Sequence, residues 1–217
     1  MTIRNKSKSV PFKSLYDDEP AMPKTKKIND KDTTAKNEVY NEIDYGVSIN
    51  DSVIYLHGDI LLGNLFDFIS KVRLILEHRP VEAKDNPITL LINSNGGDVY
   101  EALGIIDYME TLSIPVNVIA RGRAMSAAAM ILCCGTGTRA ASKNTTIMVH
   151  EASANIFGKS ADIKANAEHI DELEEDFYKM MAKKTKQDED FWRKACRKDY
   201  YMTADKAAEL GLIDQVI

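Results

Sequence analysis

The chain has 217 residues, a formal net charge of −5 and no block of basic residues interleaved with aromatics, which argues against nucleic acid as a partner. No apolar run approaches the roughly 20 residues that cross a bilayer, and the N-terminus lacks the apolar core of a secretory signal, so no membrane partner is expected. Three cysteines, two of them adjacent at Cys133 and Cys134, form no CxxC or Cys/His metal spacing; they read as reduced core residues of a cytoplasmic protein that holds no metal and no cofactor.

Residues 1–46 are rich in Lys, Asp, Asn and Thr, contain Pro11, Pro20 and Pro23, and show no sustained period. Such a segment reads as a disordered arm, a propeptide or a docking arm. Its acid-free start, with Arg4, Lys6, Lys8 and Lys13, is read as a basic tail and not as an organelle-targeting signal.

From Val47 onward strand and helix signals alternate, so a single domain over 47–217 is expected. Ser52–Leu56 reads as a strand closed by Gly58, and Leu62–His78 carries a helical period. Ile88–Ile92 is an almost unbroken apolar run of the kind buried on both faces of a sheet, followed by a turn at Asn93–Gly97. Val99–Leu112 is helical, Val116–Ala120 is a strand ending near Gly122, and Ser126 heads an apolar helix. A turn at Gly135–Gly137 precedes a strand, Thr146–Val149, that runs into His150. A long helix over Ile163 to about Lys183, a shorter one over Glu189–Arg197, a capped helix from Met202–Asp205 to Gly211 and a last strand at Ile213–Ile217 complete the chain. The repeated strand–turn–helix order predicts an α/β fold with a mainly parallel sheet.

In such sheets ligands lie beyond the carboxyl ends of the strands, where Gly96, Gly97, Gly122, Ser126 and His150 all fall. A serine at a helix N-terminus is either an ordinary cap or a nucleophile whose oxyanion meets free N–H groups. A nucleophilic serine needs a base and a group that orients it. Of four histidines, His57 has no serine nearby, and His78 and His169 sit in polar helical surroundings; His150 alone ends an apolar strand beside the serine helix. Asp199, off a helix end, is one candidate among 33 acidic residues, with a surface ion pair to Lys198 as the other reading. Gly96–Gly97 permits close backbone approach, and the N–H of Ala127 follows the serine, so both stretches could serve an oxyanion.

Four motifs in register resemble the proteolytic subunit of the ATP-dependent Clp protease: Ile92–Gly97, Gly122–Ser126, Ile147–His150 and the tail Asp199–Asp214. The family's versions run Asn-Ser-Pro-Gly-Gly, Gly-x-Ala-x-Ser, Met-Ile-His, and an Asp before Met-x-Ala-x-x-Ala and Gly-Leu-Ile-Asp. The resemblance covers about residues 47–217 and implies a crotonase-like spiral of ββα units with a protruding handle helix starting near Ile163. It implies a serine endopeptidase in which Ser126 is the nucleophile, His150 the base and Asp199 its orienting acid, with Gly97 and Ala127 as oxyanion donors. Gly96, Ile156, Phe157 and Gly158 would bind the substrate backbone, the last three as an added strand. It further implies two stacked heptameric rings, a tetradecamer, fed with unfolded polypeptide by an AAA+ unfoldase of the ClpX, ClpA or ClpC kind.

Three departures accompany this resemblance. Asn95 stands where the family has proline, Ala127–Ala128 replaces Met-Gly, and Glu151–Asn155 replaces Gln-Pro-x-Gly-Gly. They also suit a divergent or virus-encoded relative, for which capsid maturation is an alternative role. An acyl-CoA enzyme of the crotonase type would share the fold without needing a Ser-His-Asp set. A non-catalytic ring component would not need the three positions filled.

Overall fold

The computed structural model describes residues 39–217 other than residue 41, so the expectation for residues 1–38 lies outside the described residues. Residues 42–45 are helical, and Glu42 is hydrogen-bonded by the hydroxyl of Tyr55, which fastens this lead-in to the first long strand.

The elements that follow are β1 (Val47–Ser48), β2 (Val53–Ile60), α1 (Asn64–His78), β3 (Ile88–Gly97), α2 (Val99–Thr111), β4 (Val116–Met125) and α3 (Ala127–Cys133). After them come β5 (Arg139–Ala141), β6 (Thr146–Val149), α4 (Ser160–Lys184), α5 (Glu189–Ala195), β7 (Tyr200–Thr203), α6 (Ala204–Leu210) and β8 (Gln215–Val216). The sheet order is β1-β2-β3-β4-β5-β8, and β6 also pairs with β4 and carries β7 on its other edge. All pairings are parallel except β1 with β2 and β6 with β7. The mainly parallel α/β sheet expected from the alternation is therefore present.

Three strands are longer than their sequence signals. Gly58 lies inside β2, Asn93–Gly97 is the second half of β3, and β4 runs through Gly122 to Met125. The glycines do not stop the strands; they bend them. The β2–β3 register shifts between His57 and Asp59, and the β3–β4 register shifts between Ile92 and Ser94, opposite Gly122. Gly58 and Gly122 take φ of 81° and 82°, left-handed values that glycine adopts freely, at the points where the registers shift. The bends let a strand change partner along its length while Ile60 and Ala124, beyond them, stay in the core. β4 shows the result: Val118–Ala120 pairs with β5, whereas Arg123–Met125 pairs with β6.

Leu90, Ile92, Val118 and Ala120 fill the centre of the sheet, with Ala102, Ile105 and Met109 of α2 laid across them. All seven residues of α3 are buried, as an apolar-all-round helix demands. Cys133, Cys134 and Cys196 are buried as free thiols; burial pushes them up to about 12, about 11 and about 12.

α4 has 25 residues, about 37 Å at 1.5 Å per residue. Only Tyr178 and Met181, in its C-terminal half, are buried, and residues 160–169 are exposed throughout. The helix thus projects from the body, as the handle expectation requires. β5 and β7 carry no strand signal in the sequence. Each is three or four residues long and exists by pairing, β5 with β4 and β8, β7 with β6.

Candidate active site

Ser126 occupies the N-cap position of α3, yet its side chain caps nothing. Its backbone sits at φ 53°, ψ −123°, a region that costs a non-glycine residue about 1–3 kcal/mol. The N–H of Ser126 donates to Met148 O at 2.8 Å, which ties this strained turn to β6. The hydroxyl, turned away from the helix, lies 2.8 Å from His150 Nε2. Of the two readings open in the sequence, the cap is the one excluded.

The Gly-Gly stretch packs directly on this turn. A Cβ at Gly96 would stand 2.5 Å from Met125 O, 2.8 Å from Ser126 Cβ and 2.9 Å from Ala127 N. At Gly97 it would stand 2.1 Å from Ile60 O. Both positions have positive φ, 95° and 145°, so glycine is required twice over. The N–H of Gly96 donates to Ser94 Oγ at 3.0 Å, and Gly96 is buried beneath the turn. Gly97 and Ala127 instead border the open space beside Ser126. Asn95, where the family has proline, bridges two neighbours: its amide donates to Asp59 Oδ1 at 3.3 Å, and its carbonyl accepts from Arg123 Nη1 at 3.0 Å.

β6 and β7 bring the remaining two candidates together. Their antiparallel register pairs Val149 with Tyr200, so His150, one residue after Val149, and Asp199, one residue before Tyr200, become neighbours. His150 Nδ1 stands 3.9 Å from Asp199 Oδ1, beyond hydrogen-bond length. Tyr201 donates its hydroxyl to Asp199 Oδ2 at 3.4 Å. The side chain of His150 is 25 % exposed and that of Asp199 is 56 % exposed.

A cavity of about 480 Å³ opens beside Ser126 and His150. Met130, Met148, Leu173 and Phe177 give it apolar walls, and Glu151 and Glu174 line it as well. Glu174 Oε1 accepts from the N–H of Ala152 at 2.9 Å, joining the handle helix to the segment after β6. Burial raises the Glu174 carboxyl above its ordinary value; the Ala152 N–H works against that, and the charges of Glu151, Asp171 and Glu175 add to it.

The structure thus gathers Ser126, His150, Gly97 and Ala127 at one cavity, with Asp199 behind the histidine. Ile156, Phe157 and Gly158 are not among the cavity's lining residues; they lie on a segment without strand pairing, and Phe157 is 88 % exposed. Glu174 escapes the sequence reading because it passes for a solvated charge. Its signal was there: Ile170, Leu173 and Phe177 form an i, i+3, i+7 apolar stripe, and Glu174 fills the i+4 place in it.

Chemically, a hydroxyl hydrogen-bonded to an imidazole, beside a close-packed Gly-Gly stretch and a helix N-terminus, suits nucleophilic attack on a carbonyl. Comparison with known proteins agrees. The model of the Clp protease family matches residues 37–217. The ATP-dependent Clp protease proteolytic subunit 2 of Parasynechococcus marenigrum is 35 % identical over 161 residues, 73 % of this chain and 82 % of the relative. The same figures hold for proteolytic subunit 2 of a Synechococcus species. The ATP-dependent Clp protease proteolytic subunit of Bacteroides thetaiotaomicron is 39 % identical over 132 residues, 60 % of each chain. With the fold, the motif order and these similarities in agreement, the chain belongs to the Clp protease family of serine peptidases.

Proposed function

We propose that this chain is the proteolytic subunit of a self-compartmentalised protease that cleaves unfolded polypeptides through an acyl-enzyme on Ser126. The reading rests on one observation above the others, the 2.8 Å contact between Ser126 Oγ and His150 Nε2 at a strained strand-to-helix turn. Ser126 Oγ attacks the scissile carbonyl while His150 Nε2 takes its proton. The oxyanion rests on the N–H groups of Gly97 and Ala127. His150 returns the proton to the leaving amine, the C–N bond breaks, and the acyl group stays on Ser126. Water then attacks the ester with His150 again as base, releasing the acid and restoring the hydroxyl. Asp199 orients His150 and stabilises the imidazolium.

The substrate backbone lies along the segment after His150, pairing as an added strand over Ile156–Gly158. The assembly is a stack of two heptameric rings in the cytoplasm, supplied by an AAA+ unfoldase. Exposed apolar side chains support burial against further copies: Leu62 is 90 % and Phe66 75 % exposed near the start of α1, and residues 160–169 of the handle are exposed in the described part of the chain. No described helix is long and apolar enough to cross a membrane.

Fluorophosphonate labelling with mass-spectrometric site mapping, alongside native mass measurement, tests the proposal. The expected result is a single label at Ser126, lost in Ser126→Ala, on an assembly of fourteen subunits that both proteins form. An unlabelled Ser126, or peptide hydrolysis retained in Ser126→Ala, overturns the assignment.

A further inference from the structure

The cavity beside Ser126 has two chemically different parts. Met130, Met148, Leu173 and Phe177 make a sleeve that accepts an unbranched aliphatic chain, and Glu151 and Glu174 add two carboxylates to the same wall. No lysine or arginine lines it, so neither carboxylate is neutralised from within the cavity. The nearby cations are engaged elsewhere: Arg193 pairs with Glu175 and Arg123 with Asn95. The backbone of Glu151 and the carboxylate of Glu174 are each held by a hydrogen bond. The Glu151 N–H donates to Cys196 O at 3.0 Å, and Glu174 holds the Ala152 N–H, leaving its second oxygen available to a ligand.

A long apolar stem ending in a positive charge matches this arrangement, because such side chains bury their methylenes while the head seeks a carboxylate. We propose that Glu151 and Glu174 set the cleavage specificity of this peptidase, selecting lysine or arginine beside the scissile bond over purely apolar side chains. This rests on the peptidase reading above. An incoming cation also relieves a specific cost. Burial and the neighbouring carboxylates disfavour the charged form of Glu174, and a lysine or arginine head offsets both. Glu151 opens the stretch Glu151–Asn155, in which this chain departs from the motif it resembles.

The test uses the assembled full chain and fluorogenic peptides that differ only at the residue before the leaving group: Lys, Arg, Leu, Met or Glu. Wild type is expected to favour Lys and Arg over Leu in kcat/KM. In E151Q/E174Q, which keeps the hydrogen-bonding oxygens, the Lys-to-Leu ratio is expected to fall about tenfold. Should the double variant fail to assemble, mapping of cleavage sites made by wild type in an unfolded protein decides, with enrichment of Lys and Arg expected. A ratio unchanged in the variant, or a site map dominated by Leu and Met, overturns the proposal while fluorophosphonate labelling of Ser126 keeps the peptidase reading intact. Absence of both labelling and hydrolysis overturns the peptidase reading and this one with it.

Discussion

His150 reaches Ser126 and falls short of Asp199: 2.8 Å on one side of the ring, 3.9 Å on the other. The proposed base is therefore bonded to the proposed nucleophile, while the carboxylate proposed to orient it is 56 % exposed and accepts a long contact from Tyr201. Removing the acid is expected to cost less than removing either partner of the short bond. Asp199→Asn should lower kcat/KM by about 10²- to 10⁴-fold, and Ser126→Ala and His150→Ala by about 10⁶-fold. Hydrolysis of a fluorogenic peptide by the three variants, at matched assembly state, checks the order.

Gly97 admits no side chain. A methyl group there would lie 2.1 Å from Ile60 O, and its φ of 145° is closed to L residues. Gly97→Ala should destabilise the fold by more than about 2 kcal/mol and abolish fluorophosphonate labelling of Ser126. Gly96→Ala, which presses on Met125 O and Ser126 Cβ, should abolish labelling as well. Thermal unfolding and labelling on the same samples separate loss of fold from loss of the site.

Asn95 holds the Gly-Gly turn by two side-chain bonds across exposed surface. Asn95→Ala should leave stability within about 1 kcal/mol, because both bonds are solvent-screened. Its effect should appear in kcat, lowered about tenfold with KM little changed, since the loosened turn carries Gly97. Steady-state kinetics with one peptide resolves the two parameters.

Arg139 and Asp214 close the far edge of the sheet. The guanidinium meets Asp214 at 2.5 Å and 3.3 Å, and the Arg139 N–H adds a third bond to the carboxylate at 2.7 Å. Burial would raise the Asp214 carboxyl, but the Arg139 bonds outweigh it and hold it below its ordinary value. A depressed folded pKa gives stability that is present above the unfolded value, about 3.9, and is lost as pH falls through the folded one. Asp214→Asn should therefore cost about 1–2 kcal/mol at pH 7, the low end because its side chain is 43 % exposed, and nothing at pH values below the folded pKa. Denaturant melts of both proteins at pH 7 and in acid give the comparison.

Much of this site is legible in the sequence because its parts end elements. Ser126 and His150 follow buried strands, and the parallel sheet delivers both to one edge. What sequence alone misreads are places where local chemistry is overridden. Gly58 and Gly122 look like stops and are bends, since pairing with β3 resumes beyond each of them. Ser126 looks like a cap and is not one, because Met148 O and the close-packed Gly96 force its backbone into another region. Asp199 cannot be chosen from composition; the β6–β7 register brings it beside His150, and β7 has no signal of its own. Ile156–Gly158, proposed to pair with substrate, have no strand partner among the described residues.

The three buried thiols make the folded protein chemically silent toward sulfhydryl reagents. With their pKa values lifted to about 12, about 11 and about 12, thiolate is scarce and access is closed. Modification of Cys133 and Cys134, which are buried in the core, then times the opening of the whole domain, and Cys196 times the release of α5, whose C-terminus it caps. A single cysteine placed at exposed Phe157 would carry a fluorophore without background, turning the loop after His150 into its own reporter of substrate arrival.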